Sequence, residues 1–421
     1  MRLAYITGEY PRATDTFIQR EVFALREQGA EVHTFSIRRT GQQHIVGQEQ
    51  QSEQAQTFYV LPISPLRLGW IHARLFFQNP KRYTSAIKLA ISTSFPGPRG
   101  WLYQLFYFAE AGVVAREMQV RNLSHLHNHS PRSSGTVTFL AAEMGGFTFS
   151  LTLHGPYVFF SAEQWYLGEK LKRALFTVCI SHFARSQGML YAPLEAWSKM
   201  HIIHCGVDPS HFQMVAHQGT GYRLLYIGRL AATKGLPILL QCVAALKPSF
   251  PNLLLTVVGD GSDRPLLEDL ANSLGIHEAI KFVGYQSQGK VREYMQHADV
   301  LILPSFAEGV PVVLMEAMAA AVPVVATRIA GVSELVEHGV SGYLVPPGDL
   351  DSLTEAIENL LRDDQLRMAF GQAGRAKVEK EFDIEIEVVQ LYNVMKNALA
   401  EQSATKDLLF SGKTKIYAVS K

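Results

Sequence analysis

A chain of 421 residues, 47% of them hydrophobic and 18% charged, is longer than one hydrophobic core normally supports, so two domains of roughly 200 residues each are expected. The 39 basic and 38 acidic side chains leave a net charge of +1. This balance argues against a protein whose main partner is nucleic acid.

The cysteine count and the hydropathy pattern indicate in which cellular compartment the protein is expected. Cys179, Cys205 and Cys242 are isolated in the sequence, which predicts neither a disulfide framework nor a zinc site. The first residues are apolar for too short a stretch to form a signal peptide, and no segment reaches the ~20 apolar residues of a membrane span. We therefore expect a cytoplasmic protein, either soluble or peripheral on the inner face of the membrane.

Strands and helices alternate in the predicted elements. Residues 3–6 and 32–37 have the composition of buried strands, and residues 16–28 between them show helical spacing. Five more strands are predicted in the second half, at residues 224–227, 253–258, 281–283, 300–303 and 323–326. This alternation predicts an α/β chain with parallel sheets that are covered by helices on both faces.

The domain boundary is expected in the polar, glycine-containing segment 209–222. It separates an N-terminal domain of residues 1–212 from a C-terminal domain of residues 213–385. A last helix over residues 386–400 and a loosely held tail over residues 401–421 complete the prediction.

The segment from residue 54 to residue 109 has an unusual composition. A basic, aromatic surface would fit an anionic membrane or a lipid-linked acceptor. The alternative is that the aromatic side chains form core and the basic ones are ordinary solvated residues. The segment has no acidic residue, and its aromatic residues are interleaved with Arg67, Arg74, Lys81, Arg82, Lys88 and Arg99.

The first candidate site is a glycine-containing loop, residues 228–235, after the predicted strand 224–227. It places Arg229 and Lys234 at the carboxyl end of a parallel strand, where ligands bind in open α/β sheets. Fixed cations there would stabilise the charge that develops on a diphosphate leaving group, without a metal. In the alternative interpretation both are solvated loop side chains.

The second candidate site follows the predicted strand 300–303. Glu308 and Glu316 are eight positions apart and could reach different parts of one extended ligand, accepting hydrogen bonds from its hydroxyls. The backbone N–H groups of Gly309 and Val310 are expected at the start of a helix, facing phosphate or sugar oxygens. Alternatively, Glu308 is a helix-terminus carboxylate and Glu316 a surface residue, although an unpaired charge in so apolar a helix would be costly.

Together these segments resemble the donor site of the retaining GT-B glycosyltransferases of family 4, whose signature is a Gly-Arg-Leu…Lys-Gly loop followed by Glu-x7-Glu. Further similar segments are residues 258–261, 282–285, 331–334 and 342–349. The resemblance implies two Rossmann-like parallel-sheet domains that face a cleft, with the C-terminal helix crossing back to the N-terminal domain. It also implies that Arg229 and Lys234 hold the donor phosphates, Glu308 the transferred sugar, and Glu316 the ribose hydroxyls.

The N-terminal half resembles the same family more loosely, especially members that build exopolysaccharide and cell-surface glycans. Thr14, Asp15 and Thr16 lie in a segment similar to the family's Phe-Pro-x-x-Ser-Glu-Thr-Phe loop and are expected on the acceptor side of the cleft. His129, from a segment similar to His-Ala-His-Phe, is expected on the same side. His154 lies in a segment similar to Thr-x-His-Gly, and by this likeness it reaches the donor sugar across the cleft.

Two patterns raise the question of a metal. His127 and His129, at i and i+2, extend from one face of a strand and could grip a metal. No third ligand lies nearby in the sequence, so hydrogen-bonding core histidines are expected instead. Asp349 and Asp351 match the Asp-x-Asp pattern of metal-dependent transferases, but the helical run that follows favours Asp351 as an N-cap. Neither a metal nor a cofactor is therefore predicted.

The resemblance implies a retaining enzyme that transfers a hexose-type sugar from a nucleoside-diphosphate sugar to a glycan or lipid-linked acceptor, in exopolysaccharide or cell-envelope glycan synthesis. Two alternatives stay open. One is a nucleotide-sugar epimerase or hydrolase that needs no acceptor, and the other is a non-catalytic scaffold of a polysaccharide assembly.

Overall fold

Two parallel β-sheets, each with helices packed on it, organise the chain. The computed structural model describes residues 1–12, 15–45, 47–214 and 222–410. Thr14, predicted on the acceptor side of the cleft, lies outside these described residues, as does part of the predicted domain boundary.

The N-terminal sheet has seven strands. They are β1 (Arg2–Glu9), β2 (Glu31–Arg38), β3 (Phe58–Tyr59), β4 (His125–Asn128), β5 (Thr148–Leu153), β6 (Thr177–Cys179) and β7 (Met200–Ile202). All neighbours pair in parallel, in the order β3-β2-β1-β4-β5-β6-β7. The helices of this half are α1 (Thr16–Glu27), α2 (Gln48–Gln56), α3 (Pro65–Gln78), α4 (Pro80–Ser92), α5 (Pro98–Val120), α6 (Ser133–Gly145), α7 (Pro156–Phe159), α8 (Leu167–Arg173) and α9 (His182–Tyr191).

The C-terminal sheet has six strands. They are β8 (Arg223–Ile227), β9 (Leu254–Val258), β10 (Ile280–Gly284), β11 (Val300–Leu303), β12 (Val324–Thr327) and β13 (Gly342–Val345). The order is β10-β9-β8-β11-β12-β13, again all parallel. The helices are α10 (Leu236–Leu246), α11 (Arg264–Ser273), α12 (Gln288–Gln296), α13 (Val312–Ala319), α14 (Val332–Leu335), α15 (Leu350–Arg362), α16 (Asp364–Glu381) and α17 (Ile384–Phe410).

The central strands of both sheets are short runs in which every residue is buried. β11 is the apolar run Val-Leu-Ile-Leu, whereas β4 is His-Leu-His-Asn and buries its polar side chains as well. Helices on both faces of a parallel sheet leave no exposed side, so alternation of polar and apolar residues is lost. The apolar runs of the second half were therefore readable as strands without any alternation of polar and apolar residues.

The last helix, α17, returns to the N-terminal domain, which confirms the predicted crossing. Its buried residues Val388, Leu391 and Met395 belong to one apolar cluster with side chains of β1 and α1, such as Leu3 and Leu25. The helix continues to Phe410, ten residues beyond the predicted end at residue 400. Residues 411–421 lie outside the described residues.

Candidate active site

The loop after β8 has a fixed backbone shape. A single 3-10 turn, Ala232–Lys234, ends at Gly235, which has the left-handed φ of 66°. A Cβ at Gly235 would lie 2.1 Å from the carbonyl oxygen of Pro304, so only glycine fits between this loop and the end of β11. The turn directs Lys234 toward Glu308, whose Oε1 accepts a hydrogen bond from the Lys234 Nζ at 2.5 Å.

The second predicted segment surrounds the first turn of α13. This helix begins at Val312, with Pro311 at its N-cap position. The sequence predicted Gly309 and Val310 at the start of this helix. They lie instead in the loop before it, because Pro311 has an extended backbone and the helical conformation begins only after it. Glu316 lies in the helix and is buried.

A cavity of 630 Å³ lies between the two domains and brings most of the predicted site together. Asp15, Thr16 and His154 line it from the N-terminal side, and the C-terminal side contributes Arg229, Lys234, Glu308, Gly309, Val310 and Glu316. Parallel strands point their carboxyl ends to one edge of each sheet, and the loops after β5, β8, β9 and β11 meet here. We call this cavity the interdomain cleft.

Glu316 has a partner that the sequence did not indicate. The Arg20 Nη2 on α1 donates to the Glu316 Oε1 at 2.6 Å across the cleft. The same guanidinium reaches Gln288 at 3.3 Å, at the start of α12. The buried charge of Glu316 is therefore compensated from the opposite domain.

His154 is hydrogen-bonded to a second histidine. Its Nε2 lies 2.8 Å from the Nδ1 of His129, and the Nε2 of His129 lies 3.2 Å from Glu21 on α1. Tyr5 donates its hydroxyl to the same Glu21 oxygen at 2.6 Å. Burial, and secondly the neighbouring His129, hold the pKa of His154 well below its usual range. At neutral pH His154 is thus an uncharged imidazole held in place by hydrogen bonds.

His127, on β4, and His129, which directly follows the end of that strand, also have a carboxylate beside them. Glu21, His127 and His129 place potential ligand atoms within 4.8 Å of one another. Sequence spacing missed Glu21 because it comes from α1, more than 100 residues away. Both nitrogens of His127 bond to hydroxyls, Ser150 at 2.7 Å and Thr152 at 2.9 Å, as expected for a hydrogen-bonding core histidine.

Close backbone packing joins the two sides of the cleft at His154. A Cβ on Gly309 would lie 2.3 Å from the carbonyl oxygen of His154, so the Glu308 loop touches the end of β5 directly. A second interdomain contact comes from Glu334, whose carboxylate accepts the backbone N–H groups of His182 and Phe183 at 2.7 and 2.9 Å. The first turn of α9 thereby binds a negative charge supplied by the other domain.

The Asp-x-Asp segment supplies the N-cap of α15, but the capping residue lies two positions before the predicted one. Asp349, and not Asp351, is the N-cap of α15, because its side chain accepts the backbone N–H of Ser352 at 3.0 Å. Asp351 lies in the first turn, where a negative charge is also favourable.

Helices α3 to α5 carry exposed aromatic side chains, with the basic residues of segment 54–109 also exposed on them. Part of the alternative interpretation holds, since Tyr83, Tyr107 and Phe108 pack against the core. Several others are half or more exposed: Trp70, Phe77, Trp101, Tyr103 and Phe106. We call these five residues, with Arg67, Arg74, Lys81, Lys88 and Arg99, the basic-aromatic surface. No helix in the described part of the chain is long and apolar enough to cross a bilayer.

Two family models match the chain one after the other. The model described as Glycosyltransferase Family 4 matches residues 15–211, and the model described as Glycosyl transferases group 1 matches residues 208–377. The two-sheet fold and the cleft agree with these matches. The chain belongs to family 4 of the GT-B glycosyltransferases.

Two of the curated relatives are named for surface-polysaccharide synthesis. The amylovoran biosynthesis glycosyltransferase AmsK of Erwinia amylovora is 32% identical over 207 residues, which cover 47% of this chain and 50% of that protein. The putative colanic acid biosynthesis glycosyltransferase WcaL of Salmonella typhimurium is 32% identical over 195 residues, 44% of this chain and 48% of that protein. The chain thus matches about half the length of these relatives.

Solved structures match nearly the whole chain. Sucrose-phosphate synthase from Thermosynechococcus elongatus has a TM-score of 0.76 at 20% identity, covering 95% of this chain and 100% of that one. Anabaena Alr3699/HepE in complex with UDP-glucose has a TM-score of 0.70 at 18% identity, covering 94% and 100%. At these identities the likeness establishes the GT-B fold.

Proposed function

We propose that this chain is a retaining, metal-independent glycosyltransferase that moves a hexose-type sugar from a nucleoside-diphosphate donor to a glycan or lipid-linked acceptor. The observation that carries the proposal is the convergence of Arg229, Lys234, Glu308, Glu316 and His154 on one interdomain cleft. They come from distant segments, and together they supply cations for a diphosphate and acceptors for hydroxyl groups.

The donor is bound by the C-terminal side of the cleft. Arg229 and Lys234 face the diphosphate and stabilise the negative charge that grows on it as the sugar bond breaks. Lys234 forms an ion pair with Glu308. When the diphosphate takes over Lys234, the Glu308 carboxylate accepts hydrogen bonds from the transferred sugar, while Glu316 binds the ribose.

The acceptor enters from the N-terminal side. His154 contributes as a neutral hydrogen-bonding group, because burial and the neighbouring His129 hold its pKa well below its usual range. The departing phosphate takes the proton of the acceptor hydroxyl on the same face of the sugar, which retains the anomeric configuration. Closure of the cleft excludes water during transfer.

The setting we propose is exopolysaccharide or cell-envelope glycan synthesis in the cytoplasm, at the inner face of the membrane. It is supported by the names of the relatives and by the basic-aromatic surface. Exposed aromatic side chains enter the headgroup region, and basic ones are attracted to anionic lipids.

Calorimetric titration of the full chain with UDP, GDP and ADP, all in EDTA, tests the proposal. One nucleotide should bind at micromolar Kd, and Arg229→Ala or Glu316→Ala should weaken it ~10-fold or more, about 1.4 kcal/mol. Arg362→Ala and Glu278→Ala are matched controls, since both residues are exposed on the same domain away from the cleft lining.

Two results would contradict the proposal. If no nucleotide binds, the donor site is absent, and the result favours the alternative of a non-catalytic scaffold. If the matching nucleotide sugar is consumed at full rate without any acceptor, the chain is a hydrolase or epimerase.

A further inference from the structure

A second, larger cavity of 1220 Å³ lies in the N-terminal domain, outside the donor part of the cleft. Gly8, Arg38 and Ser130 place it at the carboxyl ends of β1, β2 and β4, the same edge of the sheet that carries the cleft. Ser130 directly follows His129, the hydrogen-bond partner of His154. The cavity therefore begins one residue from the predicted acceptor side of the cleft.

The polar lining of this cavity is cationic. Arg38, Arg99 and Arg132 line it, and none of the three forms an ion pair within the described residues. The Arg132 guanidinium lies 5.2 Å from the centre of the Trp165 ring. Glu110 is the one carboxyl in the described lining, and burial raises its pKa to about 7. Near neutral pH the cavity thus has three positive charges against at most one negative charge.

The remaining wall is aromatic and opens outward. Phe95, Tyr107 and Trp165 line the cavity, together with Tyr103 and Phe106. The last two are half exposed and belong to the basic-aromatic surface. One side of the cavity is thus continuous with a surface suited to lipid, and the other side ends at Ser130, next to His129 in the chain.

We propose that this cavity, which we call the arginine cavity, binds the phosphate or diphosphate group of a lipid-linked acceptor. The inference rests on the proposed function and deepens it by naming the acceptor class. Planar guanidinium groups bind phosphate oxygens in pairs, and three of them match a group with two or three negative charges. The hydrocarbon chain leaves over Tyr103 and Phe106 into the membrane, and the acceptor sugar points toward His129 and His154.

The size and the charge of the cavity decide between occupants. A volume of 1220 Å³ exceeds the ~300–1,000 Å³ of a typical small-molecule pocket. It accommodates a diphosphate with the first sugar and the first lipid units attached. Arg38, Arg99 and Arg132 are exposed to solvent, and a neutral glycan would not use the charge-assisted hydrogen bonds that they offer to a phosphate group.

Geranyl diphosphate, a short isoprenyl diphosphate, is the probe that tests this inference. The full chain is first saturated with the nucleotide that it binds, so that the donor cations are occupied, and is then titrated calorimetrically with geranyl diphosphate and with inorganic diphosphate. Wild type should bind geranyl diphosphate at least 10-fold more tightly than inorganic diphosphate, because only the former contacts the aromatic wall.

Arg38→Gln and Arg132→Gln should each weaken geranyl diphosphate binding 10-fold or more and leave nucleotide affinity unchanged, which also shows that the variants are folded. Arg116→Gln is the matched control: the residue lies on α5, outside the cavity lining, and should bind like wild type.

The outcomes separate the two proposals. Equal binding of geranyl diphosphate by wild type, Arg38→Gln and Arg132→Gln would overturn the cavity assignment whatever the nucleotide does. Equal affinity for inorganic and geranyl diphosphate would overturn the lipid part, since a soluble phosphate would then fill the site. Absence of nucleotide binding in wild type counts against the proposed function, while the comparison of the variants still decides the cavity.

Discussion

Arg20 and Glu316 form an ion pair of 2.6 Å across the interdomain cleft, although they are 296 positions apart in the sequence. Arg20 is on α1 of one domain, and Glu316 is on α13 of the other. The carboxylate that the family resemblance assigns to the ribose is therefore held by an arginine of the acceptor-side domain.

Removing Arg20 should destabilise the protein, because Glu316 is buried and would lose its counter-charge. We expect Arg20→Ala to lower the free energy of unfolding by about 3 kcal/mol. In the double variant with Glu316→Ala the losses should not add, leaving a coupling of about 1–3 kcal/mol. Urea unfolding of wild type, the two single variants and the double variant measures this coupling.

Arg2→Ala is the control, since its pair with Glu31 is exposed and is worth at most ~1 kcal/mol. Strict additivity would show that the pair does not matter.

Gly309→Ala should impair transfer more than it impairs folding. The new Cβ would lie 2.3 Å from the His154 carbonyl oxygen and would push the Glu308 loop away from the other domain. We expect transfer to slow ~10-fold or more, about 1.4 kcal/mol in the barrier, with a modest fall in Tm. Gly289→Ala is the control, because a Cβ there meets open space on a helix and should be neutral or stabilising. Unchanged turnover in Gly309→Ala would refute the close approach.

Stability should fall as pH rises from about 5 to 7, partly through Glu387 on α17. Burial raises the pKa of this carboxyl from 4.5 to about 7, although the backbone N–H of His204 at 2.7 Å acts in the other direction. The folded state therefore holds this proton more tightly than the unfolded chain, and the free energy of unfolding declines between the two pKa values.

The Glu387→Gln variant should lose that share of the pH dependence, on the order of 1–2 kcal/mol after allowance for solvent screening. Urea unfolding at pH 5 and pH 7.5 checks it. Glu110, whose pKa is also raised to about 7, remains in both proteins and cancels in the comparison. Parallel pH profiles for wild type and variant would contradict the prediction.

Phe77→Ser and Trp101→Ser should reduce binding to vesicles of mixed phosphatidylcholine and phosphatidylglycerol. Both side chains are more than half exposed on the basic-aromatic surface. Each should lower the partition coefficient ~10-fold, since burying an aromatic side chain is worth about 1.5–3 kcal/mol. Co-sedimentation measures the bound fraction. Leu266→Ser, equally exposed on the C-terminal domain, should have no effect. If all three variants bind alike, the surface does not contact lipid.

The sequence determined the local features of this protein. Short apolar runs predicted β8 to β12, and glycine turns at their ends predicted where Arg229, Lys234 and Glu308 would lie, because the carboxyl ends of parallel strands share one edge. The resemblance added His154 on the opposite side. These predictions used only residues that lie close together in the chain, or the known pattern of a family whose site residues come from distant segments.

Only the tertiary structure decided which distant groups meet. Arg20 and Glu21 lie in an ordinary helical pattern, yet one neutralises Glu316 and the other contacts His129. The N-cap Asp349 was missed by two residues, and the hydroxyls that satisfy the buried histidines of β4 come from the neighbouring strand β5. A buried charge or polar group is stabilised by partners that the fold brings to it. The spacing of residues along the chain does not identify these partners.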